Sequence, residues 1–178
     1  MKYYVTADIH GFLSLFQGAL EESGYYEDPD EKKIIICGDL FDTGRVSATT
    51  AQFILDTMSS VPAVTFLYLK GNHDEANRAF AHSALPKNVL TFGDEWTYHS
   101  FGELTIAGIE LADSNCHSLY DRLQLNKNRK NIVMLHGQTA GHSGQELVSL
   151  PDLRGKHIDY LALGHIHSYE PAFPPSVF

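Results

Sequence analysis

One pattern constrains this chain more than any other: apolar runs that stop at a glycine beside Asp, Asn or His. Its fullest form is Ile34-Ile35-Ile36-Cys37, which runs into Gly38-Asp39-Leu40-Phe41-Asp42-Thr43-Gly44. An uninterrupted apolar run of this length reads as a strand covered on both faces, the habit of parallel sheets. Gly38 and Gly44 let the backbone turn sharply after it. Asp39 and Asp42 are then delivered at the carboxyl end of a core strand, where open α/β sheets place their ligands. Taken alone, the stretch reads better as a loop whose aspartates cap the next helix.

The ending recurs, and the recurrence changes the balance. Lys2-Tyr3-Tyr4-Val5-Thr6-Ala7 runs into Asp8-Ile9-His10-Gly11, and Val64-Thr65-Phe66-Leu67-Tyr68-Leu69 into Gly71-Asn72-His73-Asp74. Ile132-Val133-Met134-Leu135 runs into His136-Gly137, and Tyr160-Leu161-Ala162-Leu163 into Gly164-His165-Ile166-His167. If these strands are parallel neighbours, their ends converge on one edge of the sheet. Five such ends make a metal site far better supported than coincidence.

The chain between these ends is ordinary. At 178 residues it suits one domain with a full hydrophobic core, and its 43% hydrophobic and 20% charged composition is that of a globular protein. No apolar run is long enough to span a membrane and no signal peptide is evident, so a cytoplasmic location is expected. Cys37 and Cys116 give no disulfide framework; Cys37 reads as a small buried hydrophobe. A formal net charge of −9 argues against a stand-alone nucleic-acid binder, although cations held by acidic ligands would offset it locally. Nucleic acid therefore stays open as a substrate but is not supported by charge, and no membrane partner is expected. The sequence leaves the oligomeric state open. Five of the ten histidines sit in the glycine-flanked ends.

In chain order, Leu13, Phe16 and Leu20 predict a helix over Phe12 to Ser23, ended by Gly24. An acidic connector follows to Lys33. Ser47 is placed to cap a second helix, whose apolar face is Ala51, Ile54, Leu55 and Met58 and which closes at Pro62. Glu75 to His82 predicts a short helix. The period then shortens: Val89 to Phe92, Trp96 to Phe101 and Leu104 to Ile109 predict an antiparallel meander or hairpin, the last two joined at Gly102-Glu103. Cys116 to Leu125 is ambiguous, with a helix one reading. Lys127 to Lys130 reads as a solvated basic turn, a phosphate contact being the lesser alternative. Gly137 to Gly144 is expected to be mobile, and the proline-rich tail after His167 irregular. There is no repeat and no domain linker.

Seven residues stand as candidate metal ligands: Asp8, His10, Asp39, Asn72, His136, His165 and His167. All donate nitrogen or oxygen. Seven exceeds what a tetrahedral ion takes and suits two ions sharing a carboxylate, with Asp39 the natural bridge. Imidazole and carboxylate without thiolate favour manganese, iron or zinc over copper or calcium.

Asp8-Ile9-His10, Gly38-Asp39-Leu40-Phe41-Asp42, Gly71-Asn72-His73-Asp74, His136-Gly137 and Gly164-His165-Ile166-His167 resemble, in order, the motifs of the calcineurin-like metallophosphoesterase family. The resemblance spans residues 8 to 167 and implies a single domain over 1–178, an α/β fold of four-layer α/β/β/α sandwich type. It implies one divalent ion, manganese first, on Asp8, His10, Asp39 and His167, and a second on Asp39, Asn72, His136 and His165. It also implies a water, activated by the two metals, that attacks phosphorus in line. His73 would be the acid or transition-state stabiliser, with Asp42 fixing its tautomer.

Two branches of the family compete. Thr43 stands where serine/threonine protein phosphatases usually carry arginine, and His167 is present where they lack it. Gly38 to Gly44 and Asp159 to His167 are more similar to the SbcD-like repair nucleases, whereas Asp8-Ile9-His10-Gly11 and the following helix look phosphatase-like. The expectation is a phosphodiesterase or nuclease-like hydrolase of a phosphoester substrate. The alternative is a phosphomonoesterase of the protein phosphatase type, and a non-catalytic scaffold is disfavoured by the intact ligand set. His142, Arg45 and Lys70 are lesser candidates for substrate contact. His82, His99, His117 and His157 read as surface or satisfied polar residues. The chain stops eleven residues after His167, so the second sheet is expected to be incomplete, either as a C-terminal truncation or as a minimal domain.

Overall fold

The protein is described here by a computed structural model, which covers residues 2–8, 13–22, 24–27, 32–41, 47–75, 84–111, 118–139 and 147–165. The chain divides into two compact units, Met1–Thr91 and Phe92–Phe178.

The first unit runs β1 (Lys2–Ala7), α1 (Leu13–Glu22), β2 (Lys32–Cys37), α2 (Ala48–Ser59), β3 (Thr65–Leu69), α3 (Asn72–Glu75) and β4 (Val89–Thr91). Its four strands form one wholly parallel sheet in the order β1-β2-β3-β4. The Ile-rich run is an inner strand and is buried along almost its whole length, which is why it carries no polar alternation. Ile34, Ile36, Phe66 and Tyr68 pack with Leu20 of α1 and with Ala51, Leu55 and Met58 of α2. That is the apolar face expected from the helical spacing. The Ser47 hydroxyl accepts the Thr50 backbone N–H at 3.0 Å and fixes the start of α2. At the other end the Asn88 amide donates to the carbonyls of Met58, Val61 and Val64, tying the helix exit to the strand that follows.

The second unit runs β5 (Thr97–Phe101), β6 (Leu104–Gly108), a 3₁₀ turn (Tyr120–Arg122), β7 (Lys130–His136), β8 (Gln138–Thr139), β9 (Leu147–Val148), α4 (Leu150–Leu153) and β10 (Tyr160–Gly164). Its main sheet has the order β10-β7-β6-β5, with only the β5–β6 hairpin antiparallel, and β8 pairs with β9 in a small separate ladder. Gly102 turns the hairpin at φ +55°, a conformation L side chains rarely adopt. Arg129 anchors the same hairpin, donating to Thr105 Oγ1 at 2.7 Å and to the carbonyls of Gly102 and Leu104. Ala107, Ile109, Val133, Leu135, Leu153 and Ile158 are the centre of this unit's core.

Two expectations need correction. The five strand ends do not share one sheet: β1, β2 and β3 end on the first, β7 and β10 on the second. Val89 to Phe92 does not join the meander, because Val89–Thr91 extends the first sheet as a parallel edge beside β3. A four-residue helix at Asn72–Glu75, which the sequence reading did not include, carries the motif residues themselves. Of Cys116 to Leu125, the described part holds a single 3₁₀ turn. Residues 76–83, 140–146 and 166–178, on which the expected short helix, the glycine-rich loop and the tail largely fall, lie outside the described residues. Among the described residues no helix is long and apolar enough to cross a membrane.

Candidate metal centre

Parallel pairing decides what collects at the end of the first sheet. Ala7, Cys37 and Leu69 lie level across β1, β2 and β3, so Asp8, Asp39 and the Gly71-Asn72-His73 turn follow side by side. Asp8 takes φ +45°, an uncommon backbone for a residue with a side chain and one that Asp tolerates better than most. Its Oδ1 accepts the Asp39 backbone N–H at 3.0 Å. Oxygens of the two carboxylates come within 4.8 Å of each other. Like charges this close, with Asp39 buried, repel unless a cation offsets them, and oxygen donors suit a hard divalent ion. The donor set therefore fits a metal.

Asp39 is held from two sides. Its Oδ1 accepts the His73 backbone N–H at 2.8 Å. Gly71 passes so near that a Cβ there would lie 2.1 Å from Asp39 Oδ1 and 2.7 Å from its backbone nitrogen. Only glycine fits this approach. Asn72 and His73 occupy the first turn of α3 with exposed side chains.

Asp74, which the sequence marks only as a motif letter, accepts four hydrogen bonds at this end. It is 3% exposed. Its oxygens accept the backbone N–H groups of Leu40 and Phe41, each at 3.0 Å, and that of Gly71 at 3.4 Å. The Tyr68 hydroxyl donates to it at 2.6 Å. Burial nonetheless pushes its carboxyl above the ordinary carboxylate range, outweighing the opposing pull of Tyr68 and the backbone donors. Its one signal in the sequence is its place directly after His73.

In the second unit His136 ends β7 and is buried, and Gly164 of β10 lies opposite it in register. His165 follows at φ +92°, and the two imidazoles meet edge to face with ring centroids 5.2 Å apart. A backbone forced into this region costs free energy and is found most often where a side chain must be aimed. The structure thus brings Asp8, Asp39, Asn72 and His73 to one sheet end and pairs His136 with His165 at another. His10, Asp42 and His167 lie outside the described residues, as do Arg45, His82, His117 and His142.

Two of the histidines read as bystanders are described. His99 packs against the Phe92 ring in β5, and the His157 carbonyl accepts the Asn131 side chain at 2.8 Å. Cys37 is fully buried. The basic turn is structural in part: Arg129 anchors the hairpin, and Lys130 pairs with Asp159 at 2.8 Å. Lys70 is half-buried immediately before Gly71.

Residues 1–169 match the family model described as calcineurin-like phosphoesterase. Curated relatives include asymmetrical bis(5′-nucleosyl)-tetraphosphatases named PrpE from Bacillus cereus strain AH187, Bacillus anthracis strain CDC 684 and Bacillus thuringiensis subsp. konkukian strain 97-27. Each is 32% identical over 79 residues, covering 41% of this chain and 31% of the relative. The chain thus matches under a third of the length of these relatives. The mixed α/β architecture is that of the phosphoesterase fold, and the chain belongs to the calcineurin-like phosphoesterase family, metal-dependent hydrolases of phosphoric esters.

Proposed function

We propose that the protein hydrolyses a phosphodiester-type linkage in a small nucleotide, using a dinuclear centre held by Asp8, His10, Asp39, Asn72, His136, His165 and His167. One observation carries the reading: Asp8 accepts the Asp39 backbone N–H and the two carboxylates lie within 4.8 Å of each other at adjacent strand ends. The family match covers residues 1–169, which supports taking 1–178 as one domain. Manganese is the first choice of ion and iron or zinc the next. Cysteine usage supports a cytoplasmic location.

Bound ions would supply a nucleophile at neutral pH and offset the charge that develops on the phosphoryl oxygens. The remaining work belongs to side chains. Asp39 presents a carboxylate whose orientation is set by the His73 N–H, by Gly71 and by the Asp8 contact to its own backbone. The exposed His73 imidazole donates a proton to the departing oxygen or stabilises charge on it. Asp42 keeps that imidazole in the donating tautomer.

Between branches, the relatives are named for a bis(5′-nucleosyl) tetraphosphate substrate, which favours a soluble nucleotide over an SbcD-like polynucleotide. The net charge of −9 weighs the same way. The protein phosphatase reading is the alternative. The test compares a bis(5′-nucleosyl) tetraphosphate, bis(p-nitrophenyl) phosphate and p-nitrophenyl phosphate across added Mn²⁺, Zn²⁺ and Fe²⁺. Preference for the first two supports the proposal, preference for the monoester overturns the substrate class, and no turnover with any metal returns the scaffold reading.

A further inference from the structure

Asp39 and Asp74 exchange backbone donors across two loops. The turn that carries Asp74 gives its His73 N–H to Asp39, and the loop that carries Asp39 gives its Leu40 and Phe41 N–H groups to Asp74. Gly71 N–H and the Tyr68 hydroxyl complete the shell around Asp74. Asp74 itself is buried, so it does not face substrate. What it fixes is the backbone on the far side of Asp39, whose near side is fixed by Asp8.

We propose that Asp74, supported by Tyr68, is a positioning residue: it locks the loop after Asp39 so that the Asp39 carboxylate keeps one orientation towards a bound cation. The inference rests on the metal-centre reading above. Its chemistry is specific to a carboxylate. Both oxygens are used, Oδ1 by Phe41 and Oδ2 by Leu40, Gly71 and Tyr68. A carboxamide of the same shape would turn an N–H₂ group towards at least one backbone N–H, leaving a buried donor unpaired. Groups that orient a ligand from behind typically change metal affinity or activity by about 10- to 100-fold when removed.

The test is Mn²⁺ titration of the full chain by calorimetry, alongside Tm and the kcat and KM for bis(p-nitrophenyl) phosphate, for Asp74→Asn, Asp74→Glu and Tyr68→Phe. Asp74→Asn should bind Mn²⁺ about 10- to 100-fold more weakly and lose kcat with little change in KM. Tyr68→Phe, which keeps the carboxylate, should move both in the same direction by less. Asp74→Glu should recover Mn²⁺ affinity while its added methylene lowers Tm, separating positioning from stability. Wild-type Mn²⁺ affinity in Asp74→Asn overturns the proposal, as does affinity that merely tracks Tm across the three variants. Should Asp74→Asn fail to fold, unchanged affinity in Tyr68→Phe overturns it instead. A wild-type protein that binds no Mn²⁺ would sink the metal-centre reading itself, and the inference with it.

Discussion

Gly71→Ala is the smallest change that should disable the proposed centre. The added Cβ would sit 2.1 Å from Asp39 Oδ1, 2.6 Å from its Cγ and 2.7 Å from its backbone nitrogen, where ordinary contact begins at 3.4 Å. The carboxylate alone cannot solve this by swinging away, because the backbone nitrogen is also too close and is fastened to Asp8. The loop must retreat by roughly 1 Å, and overpacking of this kind costs about 1–3 kcal/mol. For a chain of this size each kcal/mol lowers Tm by about 2–4 °C, so the expected drop is between about 2 and 12 °C. Displacing a reacting group by about 1 Å costs on the order of 10²-fold in rate, so activity should fall far more than stability. The assay is a melting curve and a steady-state rate on bis(p-nitrophenyl) phosphate. Gly18→Ala is the control: it lies in α1 with nothing within 4 Å of the place its methyl would take, and should leave Tm unchanged or raise it. If Gly71→Ala keeps wild-type Tm and rate, the close approach to Asp39 is not as described.

Other consequences can be checked separately. His73→Gln should retain metal and fold while losing about 10²–10⁴-fold in rate, since its imidazole is assigned chemistry rather than coordination; metal loss would make it a ligand. At the surface, Lys130 holds the Asp159 carboxyl below its ordinary value, with burial opposing and the Asn131 N–H assisting. A depressed carboxyl contributes stability that is present above the unfolded value and lost as pH falls through the folded one. The Tm advantage of wild type over Asp159→Asn, measured on metal-free protein, should therefore be steady above the ordinary carboxylate range and shrink as pH falls through and below it. An advantage independent of pH would remove the ion pair as its source.

Much of this was legible in the residues because local rules and tertiary demands agree. The unbroken Ile34–Cys37 run predicts a strand buried on both faces, and Ser47 with Ala51, Leu55 and Met58 predicts a capped helix with the face that is in fact buried. Sheet membership was not legible. The run ending at His136 reads like the run ending at Asp8, and nothing local says that one belongs to the second sheet and the other to the first. Val89–Thr91 escapes for a related reason: three residues beside a hairpin carry no signal for parallel pairing with a strand twenty residues earlier. Asp74 is visible as a letter, but its role comes from Leu40 and Phe41, which sequence places more than thirty positions away. Arg129 is similar: a cation in a basic turn reads as solvated until the Gly102 and Leu104 carbonyls are found beside it.

The central claim is that Asp39 is shared by two metal ions, and metal content per chain tests it most directly. Purified wild-type protein, reconstituted with Mn²⁺ and freed of excess, should hold about two ions by elemental analysis. Asp39→Asn should lose both together, because one carboxylate supports each. Unchanged metal content in Asp39→Asn, or loss of one ion with the other retained at full occupancy, would contradict the shared-ligand account.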